Sequence, residues 1–153
     1  MEMQKLTSGH LKLERFVGAW YGPEHMHPSH WDPVGFTAIG RNTGRLALRG
    51  FALINEYEQE RDGQVTFTGH GVMTYDPAND IYQLTWFDCL GTAPEAFVGR
   101  FEEEVLTLTS RRGQVQSRLT YDFRTAGKWL GRMEMSDNGK TWRTMFEGVY
   151  TRD

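Results

Sequence analysis

Apolar and polar residues alternate along most of this chain with the two-residue period of a strand that buries one face. The alternation is cleanest over Gln114–Arg124, where Val115, Leu119, Tyr121 and Phe123 oppose Gln116, Arg118, Thr120 and Asp122. Over Gln64–Tyr75, Val65, Phe67, Met73 and Tyr75 share one parity. Turn signals interrupt the pattern at Asp32-Pro33, Asn42-Thr43-Gly44, Asp62-Gly63, Asp76-Pro77, Gly91-Thr92-Ala93-Pro94, Arg112-Gly113, Ala126-Gly127 and Asn138-Gly139. Each supplies a residue that tolerates positive φ, presets φ or bonds its own backbone. The rhythm predicts about ten hairpin-linked strands: 17–27, 34–41, 45–59 (bent at Gly50), 64–75, 81–88, 96–101, 105–109, 114–124, 128–136 and 141–151. No helix of three turns fits between the signals. Ser8 is placed to cap a short helical turn ahead of the first strand.

Ten consecutive antiparallel strands have exposed edges unless the sheet closes on itself. A barrel of this size encloses room for one small ligand or for a plug of side chains. The length of 153 residues fits one such domain spanning 1–153. Seventeen glycines and 13% aromatic residues suit strands and turns. A net charge of −3 gives no drive toward nucleic acid or an anionic membrane. The single cysteine, Cys89, excludes an intrachain disulfide. The opening residues are polar and no apolar run approaches a membrane span, so the expectation is a cytoplasmic protein with no membrane partner.

Gly18-Ala19-Trp20 opens the first strand and Arg152 closes the last. This pair resembles the Gly-x-Trp signature of lipocalins and their calycin relatives, in which a late Arg packs across the indole that closes the barrel floor. A wider resemblance rests on His25-Met26-His27-Pro28, Trp31-Asp32-Pro33, Tyr57-Glu58-Gln59-Glu60, Gly69-His70-Gly71, Tyr75-Asp76-Pro77, Trp86-Phe87-Asp88, the stretch Met135–Trp142, and Glu147-Gly148-Val149-Tyr150. In order and spacing these motifs resemble the bacterial family labelled domain of unknown function 1579. The resemblance implies an all-β fold, a closed up-and-down antiparallel barrel of calycin type, and brings no catalytic residues. His30 and Cys89 depart from the family pattern, where Pro and Ser are expected. Haem is not expected, because the nitrobindin-related calycins that carry it use a late-strand histidine and none follows His70 here.

The candidate chemistry is sparse. His25 and His27 share a parity and could hold a metal with His70. Counting from an inward Trp20, however, Glu24 and Met26 point in and His25 and His27 point out, which favours rim histidines and no metal site. The glycines beside His70 either clear space for a ligand or relieve a coiled strand. Glu24 and Asp88 are inward acids that could act as acid or base, or pair structurally with Arg132 or Arg118. Either Glu56, or Asn55 with Tyr57, lines the inner face of the third strand. Phosphate-binding glycine loops, zinc cysteine pairs and nucleophile motifs are missing.

The reading that follows is a cofactor-free binding protein for a small, mostly apolar molecule with a polar head. A small isomerase or cyclase using Glu24, His70 or Asp88 is the alternative. The ligand is expected at the barrel's open end among Glu24, Met26, Tyr57, His70, Trp86 and Asp88, with Trp31 at the rim. Phe87 with Ile81, and Val149 with Met145, give two strands apolar outer faces, which predicts a homodimer.

Overall fold

The computed structural model describes residues 1–153. After a helical turn α1 (Ser8–Leu11) and a 3-10 turn (Lys12–Phe16) come ten strands. These are β1 (Gly18–Met26), β2 (Phe36–Ala47), β3 (Ala52–Arg61), β4 (Gln64–Asp76) and β5 (Ile81–Asp88), followed by β6 (Glu95–Glu102), β7 (Val105–Arg112), β8 (Val115–Asp122), β9 (Lys128–Ser136) and β10 (Arg143–Arg152). Each pairs antiparallel with its sequence neighbours, and β1 pairs with β10 to close the barrel. Closure leaves no unpaired edge, as the hairpin rhythm predicts.

The ten strands match the expected ones except around β2. Asn42-Thr43-Gly44 is no turn; β2 runs through it, and the chain reverses at a 3-10 turn over Leu48–Gly50. Gly44 is there for closeness: a Cβ would stand 2.1 Å from the Phe16 carbonyl oxygen, so only glycine lets the strand pass under the N-terminal turn. The reversal falls where Leu48 and Arg49 adopt positive φ and Gly50 follows with φ +95°.

That N-terminal turn plugs one end of the barrel. Thr7, rather than Ser8, stands at its N-cap, and the Thr7 backbone N–H donates to His10 Nδ1 at 3.0 Å. Leu13 and Phe16 are buried against Leu53, Tyr82, Leu106 and Leu108. Each of the two is worth about 1.5–3 kcal/mol of burial. The Tyr82 hydroxyl donates to the Gly9 carbonyl at 2.6 Å and ties plug to wall.

Trp20 is buried beside this plug, and the Arg152 guanidinium lies 4.4 Å from its ring centroid. A Cβ on Gly18 would sit 2.6 Å from Arg152 Nη1, and Gly18 has φ +121°. The first glycine of Gly-x-Trp therefore makes room for the cation that seals the indole. At the other end the barrel is open.

Candidate functional site

Between plug and mouth the barrel holds a cavity of about 410 Å³. Its wall is mainly apolar and aromatic, with Phe67, Trp86, Phe97, Met133 and Phe146 among its lining residues. Leu90 and Glu95, on either side of the β5–β6 connection, border its mouth. Such a space takes an apolar body of modest size.

One carboxylate is sealed into the wall. Glu24 is 1% exposed, four residues up β1 from Trp20 on the same inward parity. The Tyr57 hydroxyl donates to its Oε1 at 2.7 Å, Gln59 Nε2 donates to the same oxygen at 3.1 Å, and the Tyr150 hydroxyl donates to Oε2. Burial, then the nearby Glu24 charge, pushes both tyrosines well above their ordinary pKa, so each remains an O–H donor. The neighbouring strands are trimmed to fit. A Cβ on Gly40 would stand 2.3 Å from the Glu24 carboxylate, and one on Gly148 would stand 2.3 Å from the Tyr150 hydroxyl.

No cation reaches Glu24. Arg118 and Arg132 both turn outward to Glu134, at 3.0 and 3.3 Å. Of the two outcomes open to a buried acid, pairing with an arginine falls to Glu134 and not to Glu24. At the floor below, Trp20 Nε1, Trp129 Nε1 and Asn42 Nδ2 are buried without a partner. Asn42 and Trp129 also line the cavity.

The sequence-derived site set divides. Met26, Tyr57, Trp86 and Asp88 line the cavity, with Glu24 immediately behind Tyr57. Asn55, Tyr57 and Gln59 form the inner face of β3, which leaves Glu56 outside. His70 is a correction: it stands on the outer face of β4 with Nδ1 2.6 Å from Glu56 Oε1. The inward positions are its two glycines, and a Cβ on Gly69 would fall 2.1 Å from the Trp86 indole. The Gly69-His70-Gly71 motif thus marks where Trp86 lies across the strand from inside, not a cleared imidazole. Trp31 lies beyond the cavity wall. It sits in the self-closed segment between β1 and β2, where Asp32 Oδ1 accepts from the Val34 and Gly35 N–H groups, and it is 79% exposed, clear of the cavity.

Asp88 has a definite task. Its Oδ2 accepts from Trp86 Nε1 and its Oδ1 from the Leu90 N–H, both at 3.0 Å, so it holds the indole and the turn at the mouth. His25 and His27 lie on the outer face as parity requires, His27 Nε2 at 2.9 Å from Glu147, and they do not converge with His70 three strands away. A bulge between Thr144 and Phe146 turns Met145 into the cavity, so it does not contribute to the outer face of β10. Phe87 and Val149 remain outside.

Sequence reasoning missed Gln59, Tyr150 and Asn42. Gln59 shares its parity with Tyr57, a signal that was present. Tyr150 meets Glu24 only because β10 closes against β1, a contact 126 residues apart in sequence.

The model of a family described as "Protein of unknown function (DUF1579)" matches residues 5–152, and the chain belongs to that family. The fold is similar to Rv2717c from M. tuberculosis, with TM-score 0.68 and 14% identity over 97% of this chain and 99% of that one. It is also similar to the S-type phycobiliprotein lyase CPES from Guillardia theta, with TM-score 0.61 and 13% identity over 96% and 93% of the two chains. Among curated proteins, none matches this sequence.

Proposed function

We propose that this DUF1579 barrel binds a small, mostly apolar molecule, which enters opposite the Trp20 floor and lodges with its polar head toward Tyr57 and Gln59. The observation that carries this reading is the cavity of about 410 Å³ between a plugged floor and an open mouth. Ten strands of this length could have filled their interior with side chains; here glycines at 40, 69, 71 and 148 let Glu24, Trp86, Leu84 and Tyr150 pack close against the wall. The likeness in fold to a phycobiliprotein lyase is in keeping with a barrel that handles a small molecule.

Binding is favoured over catalysis by how the candidate acids are used. Both oxygens of Glu24 already accept hydrogen bonds, Asp88 is committed to Trp86 and Leu90, and His70 faces outward. None stands ready to move a proton at a substrate atom. A homodimer through the outer face that carries Phe87 and Val98, each a little over 40% exposed, belongs to the same proposal. Sedimentation at micromolar concentration showing only an 18 kDa species would remove that part.

Native mass spectrometry of the freshly purified protein tests the main reading. The expected result is an adduct of a few hundred daltons that leaves under gentle collisional activation. A bare chain that also fails to take up any apolar probe would overturn it.

A further inference from the structure

The polar groups in the corner around Tyr57 and Trp86 have a sign. Tyr57 and Trp86, whose ring centroids are 6.2 Å apart, each donate their one acidic proton to a carboxylate, Glu24 at 2.7 Å and Asp88 at 3.0 Å. Neither carboxylate has a cationic partner within the protein: both are absent from its ion pairs. Phe67 adds a third ring, 6.1 Å from Tyr57 and inclined by 61°. A ring whose O–H or N–H is hydrogen-bonded to an anion becomes richer in electrons, and its face then attracts positive charge more strongly. Arg132 is the one basic residue bordering the cavity, and its guanidinium is held by Glu134.

From this arrangement we infer that the ligand's polar head is a cation, a quaternary ammonium or protonated amine on an apolar body, seated in the corner formed by Tyr57, Phe67 and Trp86. The inference rests on the binding role proposed above and narrows it to one class of ligand. A buried carboxylate without a counter-ion is unfavourable unless something compensates it. Glu24 accepts hydrogen bonds from neutral donors alone, so a cation brought by the ligand completes the site. The same field rejects a carboxylate head, because an anion in that corner would face Glu24 and Asp88 with no free cation nearby.

Three probes of one shape test the assignment: (2-naphthylmethyl)trimethylammonium, its neutral carbon isostere 2-neopentylnaphthalene, and the anion 2-naphthylacetate. Each is titrated against the whole chain by displacement of the fluorescent probe N-phenyl-1-naphthylamine. The cation should bind about tenfold tighter than the isostere, the gain of one close charge and cation–π contact in a partly dry site. The anion should bind weakest. Glu24→Gln and Asp88→Asn should each lower the cation's affinity about three- to tenfold and leave the isostere unchanged. Asp88 sits at the mouth, so Asp88→Asn keeps the test open if the Glu24 variant fails to fold. Equal binding of cation and isostere, or a tighter anion, would overturn the cation assignment and leave the binding reading standing. Failure of every probe to bind, N-phenyl-1-naphthylamine included, would overturn both.

Discussion

The barrel wall holds two buried glutamates in opposite circumstances. Glu134, 8% exposed on the outer side of β9, receives two hydrogen bonds from Arg118 at 3.1 and 3.0 Å and lies 3.3 Å from Arg132. Trp142 covers Arg118, its ring centroid 4.0 Å from the guanidinium carbon. Glu24, on the inner side of β1, has two tyrosines and a glutamine and no arginine. One acid is neutralised where it stands and helps hold β8 to β9. The other stands behind the cavity wall among neutral hydrogen-bond donors with no cation beside it.

The contrast can be broken from below. Trp20 supports the inner region, and Trp20→Ala removes a large buried side chain together with the Arg152 stack. The loss should be about 3–5 kcal/mol by denaturant unfolding. An effect under 1 kcal/mol would mean that the floor does not carry the site.

Alkaline titration reads the raised tyrosines, of which Tyr57 and Tyr150 donate to Glu24 in the inner region, whereas Tyr75, Tyr82 and Tyr121 do not. Tyr57 and Tyr150 have folded-state pKa values raised above the ordinary value near 10, chiefly by burial. Their contribution is fully present below pH 10 and is lost as pH rises beyond it, because the unfolded chain ionises there while the folded one does not. Stability should fall by about 1.4 kcal/mol per pH unit for each tyrosine. Tyr57→Phe should flatten the slope by one share, measured as unfolding midpoints between pH 9 and 11.

Smaller effects separate the two glutamates. Glu134→Gln leaves Arg118 and Arg132 without their carboxylate, and should cost about 1–3 kcal/mol with no effect on probe binding. Glu24→Gln keeps an oxygen for the tyrosines, so stability should change by under about 1 kcal/mol while affinity for a cationic probe drops. His70→Ala, on the outer face, should alter neither by more than about 0.5 kcal/mol. A change in cavity binding caused by His70→Ala would return that residue to the site.

Much of this was legible in local pattern. The hairpin rhythm and the parity from Trp20 put Glu24 and Met26 inside and His25 and His27 outside, because both depend on the two-residue period alone. The reading failed where a glycine serves a neighbour instead of its own backbone. Gly44 looked like a turn residue and is a clearance for Phe16; Gly69 and Gly71 looked like clearance for His70 and are clearance for Trp86 and Leu84. It failed also at the β10 bulge, which flips Met145 with no mark in the sequence. The Glu24–Tyr150 contact depends on barrel closure, which no local period encodes.

The most direct test of the central claim fills the cavity. Met133 lines it, and Met133→Trp places an indole where the ligand's body would lie. The wild-type chain should bind N-phenyl-1-naphthylamine saturably at one site, and Met133→Trp, folded to the same circular-dichroism spectrum, should bind it at least about tenfold more weakly. Identical titrations for the two proteins would contradict the account, because the dye would then be binding somewhere other than the barrel interior.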